Sequence, residues 1–173
     1  MNIDVWIYIL GGLALVTNFI AYRAASANRY RIIAAFALGF LSAHFFLQGA
    51  LAGGIALGIG SIRNIVSLRY TQKPVLYIFV LINIGFCLWE WLVLQSSAIL
   101  FIAYASALIF TVGTIVLQSA TRIRQWFILA ESLGLIYAAL VGSVFGVLFN
   151  ISNLTSIVVT LWRDHQKAKL NHG

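Results

Sequence analysis

Glu131 and Arg63 place charge inside long apolar runs, where an ionisable side chain is costly and marks a functional candidate. Glu131 follows Arg124 by seven residues, roughly 10 Å along a helix, and its side chain is too short to reach back that far. Arg63 precedes Arg69 by six residues, roughly 9 Å. Its long side chain can snorkel to an interface or enter an ion pair. The two lie at similar depths, so an Arg63–Glu131 pair is the natural expectation, either as a tie between helices or as part of a coupling site. His44, five residues before Gly49, is the third candidate of this kind. A proton relay suits its titration range, against the plainer role of a hydrogen bond to a neighbouring helix.

Asn18, Asn64, Asn150 and Asn153 are the candidate solute-binding groups. Asn150 and Asn153 are three apart and share one helix face, which makes that face the strongest polar stripe in the chain. The plainer reading is that these amides, with Asn83, join helices to one another. Glu90 stands between Trp89 and Trp91 and reads as interfacial. Enzyme chemistry finds no footing. There is no Gly-rich phosphate loop and no His/Cys/Glu set at metal-ligand spacing. Cys87 is the sole cysteine, and no serine sits in a nucleophile context. No catalytic residue, metal or cofactor is expected.

The elements that must hold these groups follow from composition. Of 173 residues, 62% are apolar and 9% charged, against about 25% charged in a soluble domain. Too few polar groups remain to face water, so the solvent must be lipid. A span needs about 20 apolar residues, and seven are read: 4–22, 32–49, 52–70, 74–94, 98–118, 126–142 and 144–162. Segment 32–70 as one helix would run roughly 58 Å, too long for one bilayer. It must fold back, with Gly49 through Gly54 as the flexible turn. Segment 126–162 turns likewise at Gly142-Ser143. Pro74 opens the fourth span, where its missing N–H costs nothing. The start Met1-Asn2-Ile3-Asp4 lacks the basic region of a secretory signal, so the first span is expected to be retained.

All 11 lysines and arginines then fall on one side, after spans one, five and seven and at the end of span three or just after it. The positive-inside rule puts the N-terminus outside and the C-terminus in the cytoplasm. The formal charge of +7 thus reports topology and contact with anionic lipid, and no nucleic-acid partner is needed to explain it.

An internal echo organises the spans. At an offset of 93 positions Arg29, Arg31, Ala37, Leu47, Gly49, Gly53, Val66 and Leu68 fall on identical residues, from Arg122 and Arg124 to Val159 and Leu161. The offset also carries span 4–22 into the fifth span and the Gly49 turn onto the Gly142 turn. Spans one and five cross in the same direction, so the copies are parallel and one further helix must return the chain between them. The expected fold is an all-α integral membrane domain over 1–173: repeat one 4–70, linker helix 74–94, repeat two 98–163, cytoplasmic tail 164–173, a 3 + 1 + 3 layout.

The run Ala43-His44-Phe45-Phe46-Leu47-x-Gly49, with Ala52-Gly53, Ile62-Arg63 and Leu68-Arg69, resembles the YgjV family of bacterial inner-membrane proteins. Gly142-Ser143 through Leu161-Trp162-Arg163 is similar too, and the resemblance covers most of 30–163. It implies a multi-pass protein of the bacterial inner membrane and carries little about activity. At the level of architecture the chain also resembles SWEET and PQ-loop transporters. It departs from them in having no proline inside a pore helix and in setting Asn64 against Ile157 and Asn153 against Gly60. The expected function is small-solute transport by alternating access between two three-helix bundles, the site lying among spans one, three, five and seven. The alternative is a non-transporting scaffold or assembly partner whose buried polar residues are structural. Membrane lipid and a small solute are the expected partners, and self-association is left open.

Overall fold

The computed structural model describes residues 3–21, 24, 26–117 and 119–170. Among them are seven helices and no strand: α1 (Ile3–Ala21), α2 (Ala27–Leu47), α3 (Leu51–Val66), α4 (Lys73–Leu92), α5 (Leu100–Val116), α6 (Ala120–Leu140) and α7 (Val144–Leu170). Five are long and apolar enough to cross a membrane, and α3 and α5 are shorter apolar helices of 16 and 17 residues. Large apolar side chains cover the outside, among them Tyr8, Phe19, Leu81, Leu88, Val144 and Trp162. Hydrocarbon is the solvent that suits such a surface, and the chain is an all-α membrane protein.

The helix ends depart from the spans in an instructive way. Helices α2 and α6 begin about a turn earlier than the apolar runs at 32 and 126, because a helix may continue past the hydrocarbon wherever its backbone is satisfied. Ser26 supplies the cap of α2, its hydroxyl accepting from the Arg29 N–H at 3.3 Å. Helix α3 stops at Val66, short of 70, in i→i−3 bonds from Leu68 N to Ile65 O and from Arg69 N to Val66 O. Helix α7 runs on to Leu170, so residues read as a solvated tail continue a helix. Of the expected tail, 171–173 lie outside the described residues, as does Arg23.

The turn between α2 and α3 is tighter than Gly49 through Gly54. Gly49 takes φ +76°, which glycine tolerates without strain, and α3 already begins at Leu51. Gly53 and Gly54 serve close packing instead. A Cβ on Gly53 would lie 2.5 Å from the Tyr137 ring, and one on Gly54 2.6 Å from the Phe46 ring.

The same local geometry returns 93 residues on. Helix α6 spans the positions of α2 shifted by 93 at both ends, and α7 starts where the shifted α3 would. Gly142 takes φ +72°. Bonds Gln48→His44, Gly49→Phe46, Ala50→Phe45 and Gly54→Ala50 (N–H to carbonyl) are answered by Val141→Tyr137, Gly142→Ala139, Ser143→Ala138 and Val147→Ser143. The second arginine of each Arg-x-Arg bonds to the following helix or its cap. Arg31 Nη1 donates to the Ser67 carbonyl at 2.9 Å, and Arg124 Nη1 to Asp164 Oδ2 at 2.8 Å.

Six helices close a ring in the order α1, α2, α3, α5, α6, α7, each packed on two neighbours. Helix α4 stands outside it against α3 and α5. Two seams, α3/α5 and α1/α7, join the first half of the ring to the second.

Candidate functional site

A cavity of about 290 Å³ occupies the middle of the ring. All six ring helices line it and α4 does not. The sequence placed the lining on spans one, three, five and seven. The structure adds α2 and α6, which contribute Arg31, Leu38, Phe45, Glu131 and Tyr137, and leaves Asn18 as α1's sole lining residue. The wall is largely apolar, with a few polar groups converging on it, as in most small-molecule sites.

The α1/α7 seam carries a hydrogen-bonded row. Asn18 Nδ2 donates to Asn153 Oδ1 at 2.7 Å, and Asn153 Nδ2 donates to Glu131 Oε1 at 2.8 Å. Three helices are tied by two bonds, both in the buried centre. The α3/α5 seam carries Arg63 instead. Its Nη1 donates to Thr111 Oγ1 at 3.1 Å and its Nη2 to Asn64 Oδ1 at 3.4 Å, while Nε is buried with no partner among the described residues. Thr111 passes its own proton to the Ala107 carbonyl at 2.7 Å.

The expected Arg63–Glu131 ion pair is not formed: Arg124–Asp164 is the only one among the described residues. Each partner is engaged locally instead, Arg63 by Thr111 and Asn64, Glu131 by Asn153. Arg63 does not snorkel either. It is 5% exposed, as is Glu131. Its guanidinium folds back over Gly60, whose built Cβ would lie 3.7 Å from Nη2 and 3.5 Å from Leu38 Cδ1. The offset of 93 relates Gly60 to Asn153, Leu38 to Glu131 and Thr111 to Asn18. Arg63 and Asn153 thus supply the polar ties of the two seams, and base and acid line one cavity without pairing.

The remaining candidates separate. Asn64 lines the cavity and accepts from Arg63. Asn150 also lines it, but its Nδ2 is spent on the Gly146 carbonyl at 2.7 Å and its Oδ1 sits on Gly134, where a Cβ would be 2.5 Å away. His44 does not join the cavity. It lies in the seam of α1, α2 and α7, fully buried. Nδ1 faces the Ile7 carbonyl at 2.8 Å, so that nitrogen carries the proton; Nε2 faces Ser143 Oγ at 2.9 Å and accepts from it. Ser143 Oγ in turn accepts from the Gly146 N–H at 3.1 Å, which caps α7. Glu90 stands near the end of α4. It is buried between α4 and α5, where Tyr104 donates to Oε2 at 3.0 Å, while Trp89 and Trp91 face outward.

Two groups were missed. Thr111 has no signal of its own beyond standing 93 positions after Asn18. The aromatic floor has none: Phe45 and Tyr137 meet edge to face, with ring centroids 5.8 Å apart, and Tyr137 Oη accepts from the Gly53 N–H at 2.9 Å. Phe45 in turn enters the space left by Gly146, where a Cβ would be 2.7 Å from Cζ. At this end the lining is fully buried, Phe149 included. At the other end, where α2 and α6 begin, Tyr30, Arg31, Thr114 and Ile123 are half-buried.

Ring and cavity together define a polytopic helical membrane protein with a polar centre. The chain belongs to the YgjV family: the family model, described as a bacterial inner membrane protein, matches residues 5–168. It is a multi-pass protein of the bacterial inner membrane. No curated protein and no solved structure matches it.

Proposed function

We propose that the chain is a small-solute transporter working by alternating access, with the two seams as the surfaces across which the halves move. The observation that carries this reading is the central cavity, lined by all six ring helices and holding an acid and a base that do not neutralise one another. A scaffold would gain nothing from such a void, since packed apolar side chains stabilise a bundle better than buried charge. On this reading the halves are parallel copies joined by α4, a layout supported by the recurrent turn and cap bonds at one offset. The basic ends face the cytoplasm. A C-terminal alkaline phosphatase fusion is then inactive, and an active one refutes the orientation. The Phe45–Tyr137 floor and the His44–Ser143–Ile7 link close the outer end, and the half-buried rim leaves the cavity facing inward.

Flux through proteoliposomes containing purified protein, measured over a panel of labelled metabolites, tests the proposal. Saturable flux that is lost in Glu131→Gln supports it. A folded protein that moves none of the panel in either direction favours the scaffold.

A further inference from the structure

We propose that the cavity binds a small zwitterion, a solute of the amino-acid class, with its carboxylate on Arg63 and its ammonium on Glu131. The inference rests on the reading of this cavity as the solute site and adds the chemistry of the solute.

Three observations carry it. First, Arg63 is a buried guanidinium without a carboxylate partner: its bonds go to a hydroxyl and an amide oxygen, and Nε has no partner among the described residues. A guanidinium offers five donors in a planar fork that matches a carboxylate, so the chemistry missing here is an anion with two oxygens. Second, Glu131 has one oxygen engaged, Oε1 by Asn153, and an acceptor-only carboxylate seeks donors for the other. Third, both line the same cavity and form no ion pair with each other, so neither charge has its complement among the described residues. An anion alone would satisfy Arg63 and ignore Glu131. A cation alone would do the reverse. A molecule bearing both charges satisfies both, and it brings no net charge into an apolar interior, where an uncompensated ion is costly.

The space sets the size. A volume of about 290 Å³ lies at the small end of ligand pockets, so the solute is a metabolite of a few heavy atoms beyond its two charged groups. Leu38, Leu41, Ala56, Ala107 and Phe110 are among the apolar side chains that line the same cavity. They favour a short apolar side chain over a polar one.

Binding to the purified full-length protein in lipid nanodiscs decides the matter, read by thermal shift and titration calorimetry. The probes are glycine, L-alanine, L-valine and L-leucine. Isobutyrate and isobutylamine, carrying one charge each, are the controls. The expected result is saturable binding of at least one zwitterion, with the controls at least tenfold weaker. Glu131→Gln and Arg63→Gln are each expected to weaken it tenfold or more, the loss of one charge-assisted bond. Arg63→Lys should restore part of it. The comparison of probes on the unaltered chain stands even where a variant fails to fold. Binding of isobutyrate or isobutylamine as tight as that of the zwitterions overturns the inference, and so does the absence of any zwitterion binding to folded protein. Zwitterion binding without flux supports this inference while sinking the transport reading. Flux of a neutral or singly charged solute with no zwitterion bound does the opposite.

Discussion

Replacing Glu131 by Leu gives the second half the residue that the first half has at the matching position, Leu38. In the first half that leucine stands beside Gly60, which has no polar group to satisfy. In the second it would stand beside Asn153, whose Nδ2 now donates to Glu131 Oε1 at 2.8 Å. The variant therefore strands a buried amide donor. Interhelical hydrogen bonds in membranes contribute about 0.6 kcal/mol on average and about 1.7 at most, so the loss should fall in that range. Glu131→Gln keeps an acceptor at Oε1 and should cost less than about 0.5 kcal/mol, since the bond survives. Asn153→Leu breaks both bonds in the row and strands Asn18 Nδ2 as well. Combined with Glu131→Leu it adds little to what Asn153→Leu alone has lost, because the bond the two residues share can be lost once. Reversible unfolding of the four proteins in mixed micelles titrated with SDS gives the double-mutant cycle. The expected coupling is about 0.6 kcal/mol or more. Single effects that simply add would refute the row as a bonded unit, and a Glu131→Gln variant as unstable as Glu131→Leu would refute the reasoning from the acceptor.

Two further predictions concern the closed end of the ring. Gly53→Ala would put a Cβ 2.5 Å from Tyr137 Cε1, about 1 Å inside contact distance, so the ring must shift and its bond to the Gly53 N–H is lost; about 1–3 kcal/mol of destabilisation is expected from overpacking. Gly12→Ala, with open space at its Cβ, should be neutral or stabilising by up to about 1 kcal/mol, and equal thermal stability of the two variants in detergent would contradict the packing argument. Ser143→Ala removes both the cap of α7 and the donor to His44 Nε2. It should cost about 1–2 kcal/mol, and unaltered stability in the same assay would show that the link contributes nothing.

Much of this fold is legible in the sequence because a bilayer simplifies the problem. Apolar length marks a span, glycine marks the turn that must interrupt an over-long one, and Gly49 and Gly142 are found where that reasoning puts them. Helix ends are less legible, since apolar length measures hydrocarbon thickness and not where a backbone stops being satisfied. The cap at Ser26 and the continuation of α7 to Leu170 obey the second rule. The candidate residues were identifiable by their cost: Glu131, Arg63, Asn18, Asn64 and Asn153 all reach the cavity. Their partners were not. Similar depth made Arg63 and Glu131 look like a pair, yet depth fixes one coordinate of three. The missing one is position around the ring, which sets Asn18 beside Asn153 at 135 residues' separation and Arg63 beside Thr111 at 48. That coordinate comes from packing. His44 makes the plainer kind of contact expected of it, a hydrogen bond to a neighbouring helix, but nothing in the sequence says that its partners are Ile7 and Ser143.

On the reading of the chain as two copies, the broken symmetry at its centre has a physical reason. The seams keep a polar tie from matching positions, Asn18 to Asn153 and Thr111 to Arg63, so what holds the halves together has been retained. The charges have not been duplicated. Two carboxylates or two guanidiniums related by the same operation would face each other across one low-dielectric cavity. Two like charges about 10 Å apart at an effective dielectric constant of about 20 repel by about 1.7 kcal/mol, on top of two uncompensated burial costs. One acid and one base in those places attract by a similar amount, and each lowers the cost of burying the other. A symmetric centre could carry a symmetric or neutral solute, but could offer opposite charges to the two ends of a solute only by departing from its own repeat. Glu131 against Leu38, Asn153 against Gly60 and Arg63 against Ser156 are such departures, and they converge on one cavity.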